Sequence, residues 1–120
     1  MWVKCLSNKD SDFKFNITTN EIYCVMGMTI DLNNGEIEFW IINDHRNYFF
    51  SMPSRLFEIV DSSVSKYWSI IFKSDCMMMS HKDFLEPFFL DDLTDFEEKS
   101  VETFKRVSSM IESEKNTDTT

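Results

Sequence analysis

The sequence predicts an α+β fold: a single domain, mainly antiparallel sheet, packed on one face by a long C-terminal helix and a short helix. Three observations carry that expectation. Residues 21–43 read as a β-hairpin, two apolar-alternating strands joined through Asn34-Gly35. Residues 94–111 carry apolar side chains at helical spacing. The chain is 120 residues long with only two Gly and two Pro, so no linker divides it. The domain is expected over 1–111, with 112–120 as a flexible polar tail.

The elements follow in chain order. Met1–Leu6 suits an edge strand. In the strand Ile22–Ile30, Ile22, Cys24, Met26, Met28 and Ile30 share one face at period 2, and Tyr23, Val25, Gly27 and Thr29 take the other. Asn34-Gly35 supplies the positive backbone angles of a hairpin turn. The return strand puts Ile37, Phe39 and Ile41 on one face, with Trp40 and Ile42 on the other. After the polar loop Asn43–Asn47 comes a short strand, Tyr48–Met52. Pro53 can open a helix, because the first turn leaves its missing N–H unused, and Leu56, Phe57, Ile59 and Val60 suggest a short buried helix over 54–61. Tyr67–Lys73 and Cys76–Ser80 read as a second hairpin around Ser74-Asp75. Thr94-Asp95-Phe96-Glu97 has the spacing of a capping box. Val101, Phe104, Val107 and Ile111 then form the buried stripe of the long helix.

Composition narrows the function. Twenty-one Asp and Glu against 12 Lys and Arg give a net charge of -9. Gripping nucleic acid by its phosphates needs the opposite balance. Aromatics at 15%, with 12 Phe, are too many for a disordered acidic tail. The first ten residues have no apolar signal-peptide core, and no apolar run approaches the roughly 20 residues of a membrane span. Cys5, Cys24 and Cys76 are an odd number without CxxC spacing. A reduced, cytoplasmic setting is therefore expected, without direct contact to nucleic acid or membrane.

Tests for chemistry come back empty. His45 and His81 are the only histidines. Cys24 reads as a core thiol, and Cys76 lies five residues from His81, on the opposite face of a continuous strand. Asp91, Asp92 and Asp95 lack the glycine bend and bidentate ligand of a calcium loop. No HExxH and no glycine-rich phosphate loop occurs. No catalytic residue, metal or cofactor is expected. Asp44-His45-Arg46 groups an acid, an imidazole and a guanidinium at a hairpin tip, where a solvated turn competes with a polar partner contact.

Charge placement is more informative. Residues 81–102 hold eight acids against Lys82 and Lys99, six of the nine net negative charges. Phe84, Leu85, Phe88, Phe89, Leu90 and Leu93 are interleaved with them. Acids around an exposed aromatic centre would make a docking site for a cationic protein. A capped helix behind a solvated loop is the plainer alternative.

The layout resembles the small bacterial immunity proteins of contact-dependent growth inhibition and related polymorphic toxin systems. The features that carry the likeness are the Tyr23–Asp31 strand, the Asn34-Gly35 turn, the Ile37–Asp44 strand ending Ile-Asn-Asp, Tyr48–Pro53, Tyr67-Trp68 and the acidic Phe-rich stretch before the last helix. The resemblance implies a cytoplasmic protein, not an enzyme, that binds and neutralises the C-terminal domain of a cognate toxin, often a basic nuclease. The interface residues come instead from charge and aromatic placement. Asp91, Asp92, Asp95 and Glu98 are the expected electrostatic contacts, Phe88 or Phe89 the anchor, and Asp44 with His45 a second patch. The alternative is an acidic mimic of nucleic acid that inhibits a DNA-binding enzyme; an enzyme of unrecognised type ranks third. A monomer or weak dimer is expected, because an exposed edge strand can pair with a second copy.

Overall fold

A computed structural model describes residues 1–114. In chain order the strands are β1 (Trp2–Cys5), β2 (Lys9–Asp10), β3 (Phe13–Lys14), β4 (Ile22–Asp31), β5 (Ile37–Ile42) and β6 (Phe49–Pro53). A 3-10 turn at Ser54–Leu56 leads into β7 (Phe57–Asp61), followed by β8 (Trp68–Lys73) and β9 (Cys76–His81). Helices α1 (Phe89–Thr94) and α2 (Glu98–Ser113) complete the chain. The fold is α+β, an antiparallel sheet with one long and one short helix. Among the described residues, no helix is long and apolar enough to cross a membrane.

The β4–β5 hairpin forms where alternation and Asn34-Gly35 place it, and Gly35 takes the positive φ, at 76°. The turn is longer than two residues, since the Gly35 and Asn33 amides both bond back to Asp31, on its carbonyl and its carboxylate. β4 is the spine of the sheet. One edge pairs with β5, which in turn pairs with β6. The other edge is divided. Ile22 to Cys24 pair with β1, and Gly27 to Asp31 pair with β9. β7 extends the β1 branch and β8 the β9 branch. The Met1–Leu6 segment is thus an interior strand, not the expected edge, because Phe57–Asp61 pairs along its far side.

The fork coincides with a β-bulge. Val25 faces Ile41 and Gly27 faces Trp40, so Met26 is one residue too many for the partner strand. The extra residue reverses the facing of everything beyond it. Cys24 and Met26 sit on the helix side, while Met28 and Ile30 turn to the opposite core, which corrects the single apolar face expected for Ile22–Ile30. Gly27 is required here. A Cβ on it would lie 2.5 Å from Cε3 of Trp40 and 2.8 Å from Cβ of Ser80. The Ser80 hydroxyl donates to the Met26 carbonyl at 2.7 Å, satisfying a backbone group at the bulge.

Both faces of the hairpin are buried, against the expected single packed face. On one side Met26, Trp40, Ile42 and Phe49 meet Phe84, Phe89, Leu93 of α1 and Phe104, Val107, Ile111 of α2. Phe49 is the hub: its ring stacks on Trp40 at 5.4 Å and touches those of Phe84, Phe89 and Phe104. On the other side Val25, Met28, Phe39 and Ile41 pack with Val3 and Phe57 of the β1–β7 branch and with Met52 and Leu56.

Two helix expectations change. The short helix expected over 54–61 is a single 3-10 turn followed by β7. Pairing with β1 and the β-branched Ile59 and Val60 favour extended backbone there. The short helix of the fold is α1, inside the acidic stretch. The long helix forms with its expected stripe, but Glu97, not Thr94, caps it. The Glu97 carboxylate accepts from the Ser100 amide at 3.2 Å and the Ser100 hydroxyl at 2.7 Å, while Thr94 ends α1. Those bonds, led by the Ser100 hydroxyl, hold the Glu97 carboxyl below its ordinary range. α2 also continues past Ile111 to Ser113. Glu112 meets Arg46 at 2.6 Å, and Glu114 accepts from the Ser65 hydroxyl and Lys66 amide. The remainder of the expected tail, 115–120, lies outside the described residues.

Candidate functional site

After β9 the chain makes a tight turn, with the Phe84 and Leu85 amides on the His81 carbonyl at 2.9 and 3.1 Å. This drops Phe84 into the helix-side core. Pro87 then precedes α1. Phe89 and Leu93, four residues apart, point inward, and Asp91, Asp92 and, just beyond the helix, Asp95 are exposed.

The ends of α1 are unusual. Its N-cap is Phe88, in the left-handed region at φ 66°, with no side-chain cap bond. Ser, Thr, Asp or Asn would serve there. Its C-terminal end closes with the Phe96 amide on the Leu93 carbonyl at 3.0 Å and the Glu97 amide on the Asp92 carbonyl at 3.0 Å. That bond pair is a Schellman motif, whose left-handed position normally belongs to glycine. Here it is Phe96, at φ 58°. Left-handed backbone costs a side-chain-bearing residue roughly 1–2 kcal/mol. Neither ring recovers this by burial, since Phe88 is 73% exposed and Phe96 69%. About 9 Å of helix separates them.

Acids surround the two rings. Asp83 is tied to Arg106 at 3.0 Å, and Glu97 is used as the α2 cap. Glu86, Asp91, Asp92, Asp95, Glu98 and Glu102 are exposed, and none forms an ion pair among the described residues. Beneath Phe88 lies a cavity of about 210 Å³, walled by Trp40, Phe49, Met78 and Lys73 from the sheet and by segment 84–91. It is smaller than the ~300–1,000 Å³ typical of small-molecule sites. An acidic rim, two projecting rings and a shallow apolar recess suit a protein partner better than a substrate.

The expected site residues divide. Asp91, Asp92, Asp95, Glu98 and Phe88 are all exposed, along α1 and the start of α2. Phe89 does not, being 8% exposed and packed on Phe49 and Phe84. Of the two expected anchors only Phe88 is exposed; Phe96, which sequence reasoning missed, is exposed as well. Its signal was present: the residue between Asp95 and Glu97 has no place on the apolar stripe of either helix. Asp44 is occupied internally, accepting from the Thr18 hydroxyl at 2.7 Å and the Tyr23 hydroxyl at 2.6 Å. It pins the β5–β6 loop to residues 16–18. Burial and the Asp44 carboxylate push the Tyr23 hydroxyl up to about 12. His45 is exposed on the same turn, and Arg46 is drawn to Glu112. Asp44 therefore stabilises a loop, while it and His45 both stay exposed on that turn.

The nucleophile candidates are far from chemistry. Cys76 and His81 are the first and last residues of β9. Burial pushes the Cys24 thiol up to about 12 and also raises Cys5, so both stay protonated. His81 is buried, its Nδ1 accepts from the Asp83 amide at 3.0 Å, and desolvation lowers its pKa despite nearby Asp83. An open cleft of about 610 Å³ is lined by Asn8, Lys14, Phe15, Asn16, Ile17, Thr18, Thr19 and the already bonded Asp44, and holds neither histidine. Among the described residues no three His, Cys, Asp or Glu side chains converge as a metal-holding group.

Compared with known proteins, the chain matches no family model, and no curated protein or solved structure shows significant similarity to it.

Proposed function

We propose that this chain is a cytoplasmic immunity protein that neutralises the cationic C-terminal domain of a cognate toxin by stoichiometric binding, without catalysis of its own. One observation carries the reading: Phe88 and Phe96 are both held in left-handed backbone, both largely exposed, at the two ends of a helix whose outer face is acidic. Folding alone gains nothing from that arrangement, because the strain yields no burial. Binding does gain, since rigidly projected aromatics are the usual anchors of an interface and acids around them speed encounter with a basic partner. A toxin that acts on nucleic acid presents such a basic surface at its active site.

Mimicry of nucleic acid fits less well, because a mimic strings carboxylates along a surface. Here six of the nine net negative charges fall within residues 81–102, interleaved with the exposed Phe88 and Phe96. Co-expression with the product of the adjacent gene, followed by co-purification and a growth-rescue assay, tests the proposal. A one-to-one complex with restored growth is expected. No complex, or rescue that needs turnover by the isolated chain, overturns it.

A further inference from the structure

We infer that β8 is a self-pairing edge, through which two copies of this chain associate antiparallel about a two-fold axis at Ile71. The three free edges differ in protection. β6 ends in Pro53, and β7 carries Glu58 and Asp61. β8 reads Trp-Ser-Ile-Ile-Phe-Lys, without proline and with its single charge at the end. Natural sheets shield such edges with charge, proline or bulges; this one has no proline and no bulge, and its one charge, Lys73, stands at the end of the strand, leaving 68–72 unshielded.

The exposed side chains supply the second argument. Ile70 is 57% exposed and Phe72 69%, on a strand that among the described residues pairs only with β9. Both lie on the face where Met79 and Met77 oppose them, and Met28 and Ile30 of β4 continue the two rows. The rows start in the buried second core and stop, uncovered, at β8. Antiparallel pairing about a two-fold normal to the sheet sets a residue opposite itself. Centred on Ile71, it sets Ile70 opposite Phe72 of the partner copy, twice, and extends both apolar rows across the junction. Ser69 then meets Lys73 of the partner copy, so no charge opposes an apolar side chain. The rims are complementary as well. Lys66 precedes β8 and Asp75 follows it, and antiparallel pairing brings each copy's Lys66 end to the other's Asp75 end. Ile70 and Phe72 lie on the face of β8 opposite to Met78, whereas Lys73 at the strand end also walls the recess beneath Phe88, so the self-pairing edge adjoins the acidic corner without using its rings.

Sedimentation equilibrium of the full chain tests it. The mass should rise from 14.3 kDa toward twice that value as concentration is raised to ~1 mM. Added salt should strengthen the association, because each copy carries a net charge of -9. Ile70→Lys with Phe72→Lys should stay monomeric at every concentration with unchanged melting, since both side chains are already exposed. In a Cys76→Ser background, Ile71→Cys should form an intermolecular disulfide on mild oxidation, because opposed Cα atoms lie about 4.5–5.5 Å apart. Ser69→Cys should not, its counterpart being displaced by ~13 Å along the strand. A mass that stays at one chain throughout, or cross-linking at Ser69→Cys and not at Ile71→Cys, overturns the inference.

Discussion

Phenylalanine does opposite work in two neighbouring regions of this molecule. Around Phe49, rings sit on regular backbone and are covered by strand and helix. Around α1, Phe88 and Phe96 sit on strained backbone and face solvent. Phe88 and Phe89 are consecutive, yet one is on the surface and the other in the core. Residue type therefore does not separate core phenylalanines from exposed ones here; the backbone angle and the exposed area do, and the proposed function assigns the exposed pair to recognition.

The comparison breaks hardest at the core. Phe49→Ala should cost about 3–5 kcal/mol of stability by urea unfolding, while the affinity of the molecules still folded changes little. At the corner the balance inverts. If the proposed toxin partner is bound here, Phe88→Ala and Phe96→Ala should each weaken that binding by about 2 kcal/mol, roughly thirtyfold, with melting nearly unchanged. Equal losses of stability and affinity in both regions would erase the distinction.

A smaller effect has the more telling sign. Phe96→Gly should raise stability by about 1 kcal/mol, because glycine takes the left-handed position without a Cβ penalty. The same change should lower affinity. Charge reversal at Asp91 and Asp92 to Lys should slow association about tenfold and flatten its dependence on salt, read by stopped flow. The smallest effect belongs to His81. Its folded pKa is lowered, so the unfolded chain takes up the proton more readily. Stability should be full above the ordinary value of 6.5, decline as pH falls through it, and level off below the folded pKa. His81→Gln should remove that decline in a melting series.

Much of the first region was legible in the sequence, and little of the second. Strict alternation marked β4 and β5, and a three-four repeat marked α2, because long amphipathic segments leave a periodic trace. The bulge left none: Gly27 looked like one small residue on a strand face, and only Trp40 packed against it reveals its purpose. Leu56, Phe57, Ile59 and Val60 fitted a helix as well as a strand, and the decision came from β1, far away in sequence. α1 is six residues long, too short for a period to say whether Phe88 or Phe89 points inward. The acids were found because charge density needs no phase; the second aromatic was missed because it was read as part of a helix start.

The division of β4 has a consequence for how the chain must assemble. Its first half is zipped to the N-terminal strand, and its bulge residue, Met26, shares a core with Val107 and Ile111 near the other end of the chain. A fragment without α2 would leave Met26, Trp40, Ile42 and Phe49 uncovered. The surroundings of Met26 are therefore complete only when α2 has packed beside it, which ties the closing of the helix-side core to a residue some eighty positions earlier in the chain.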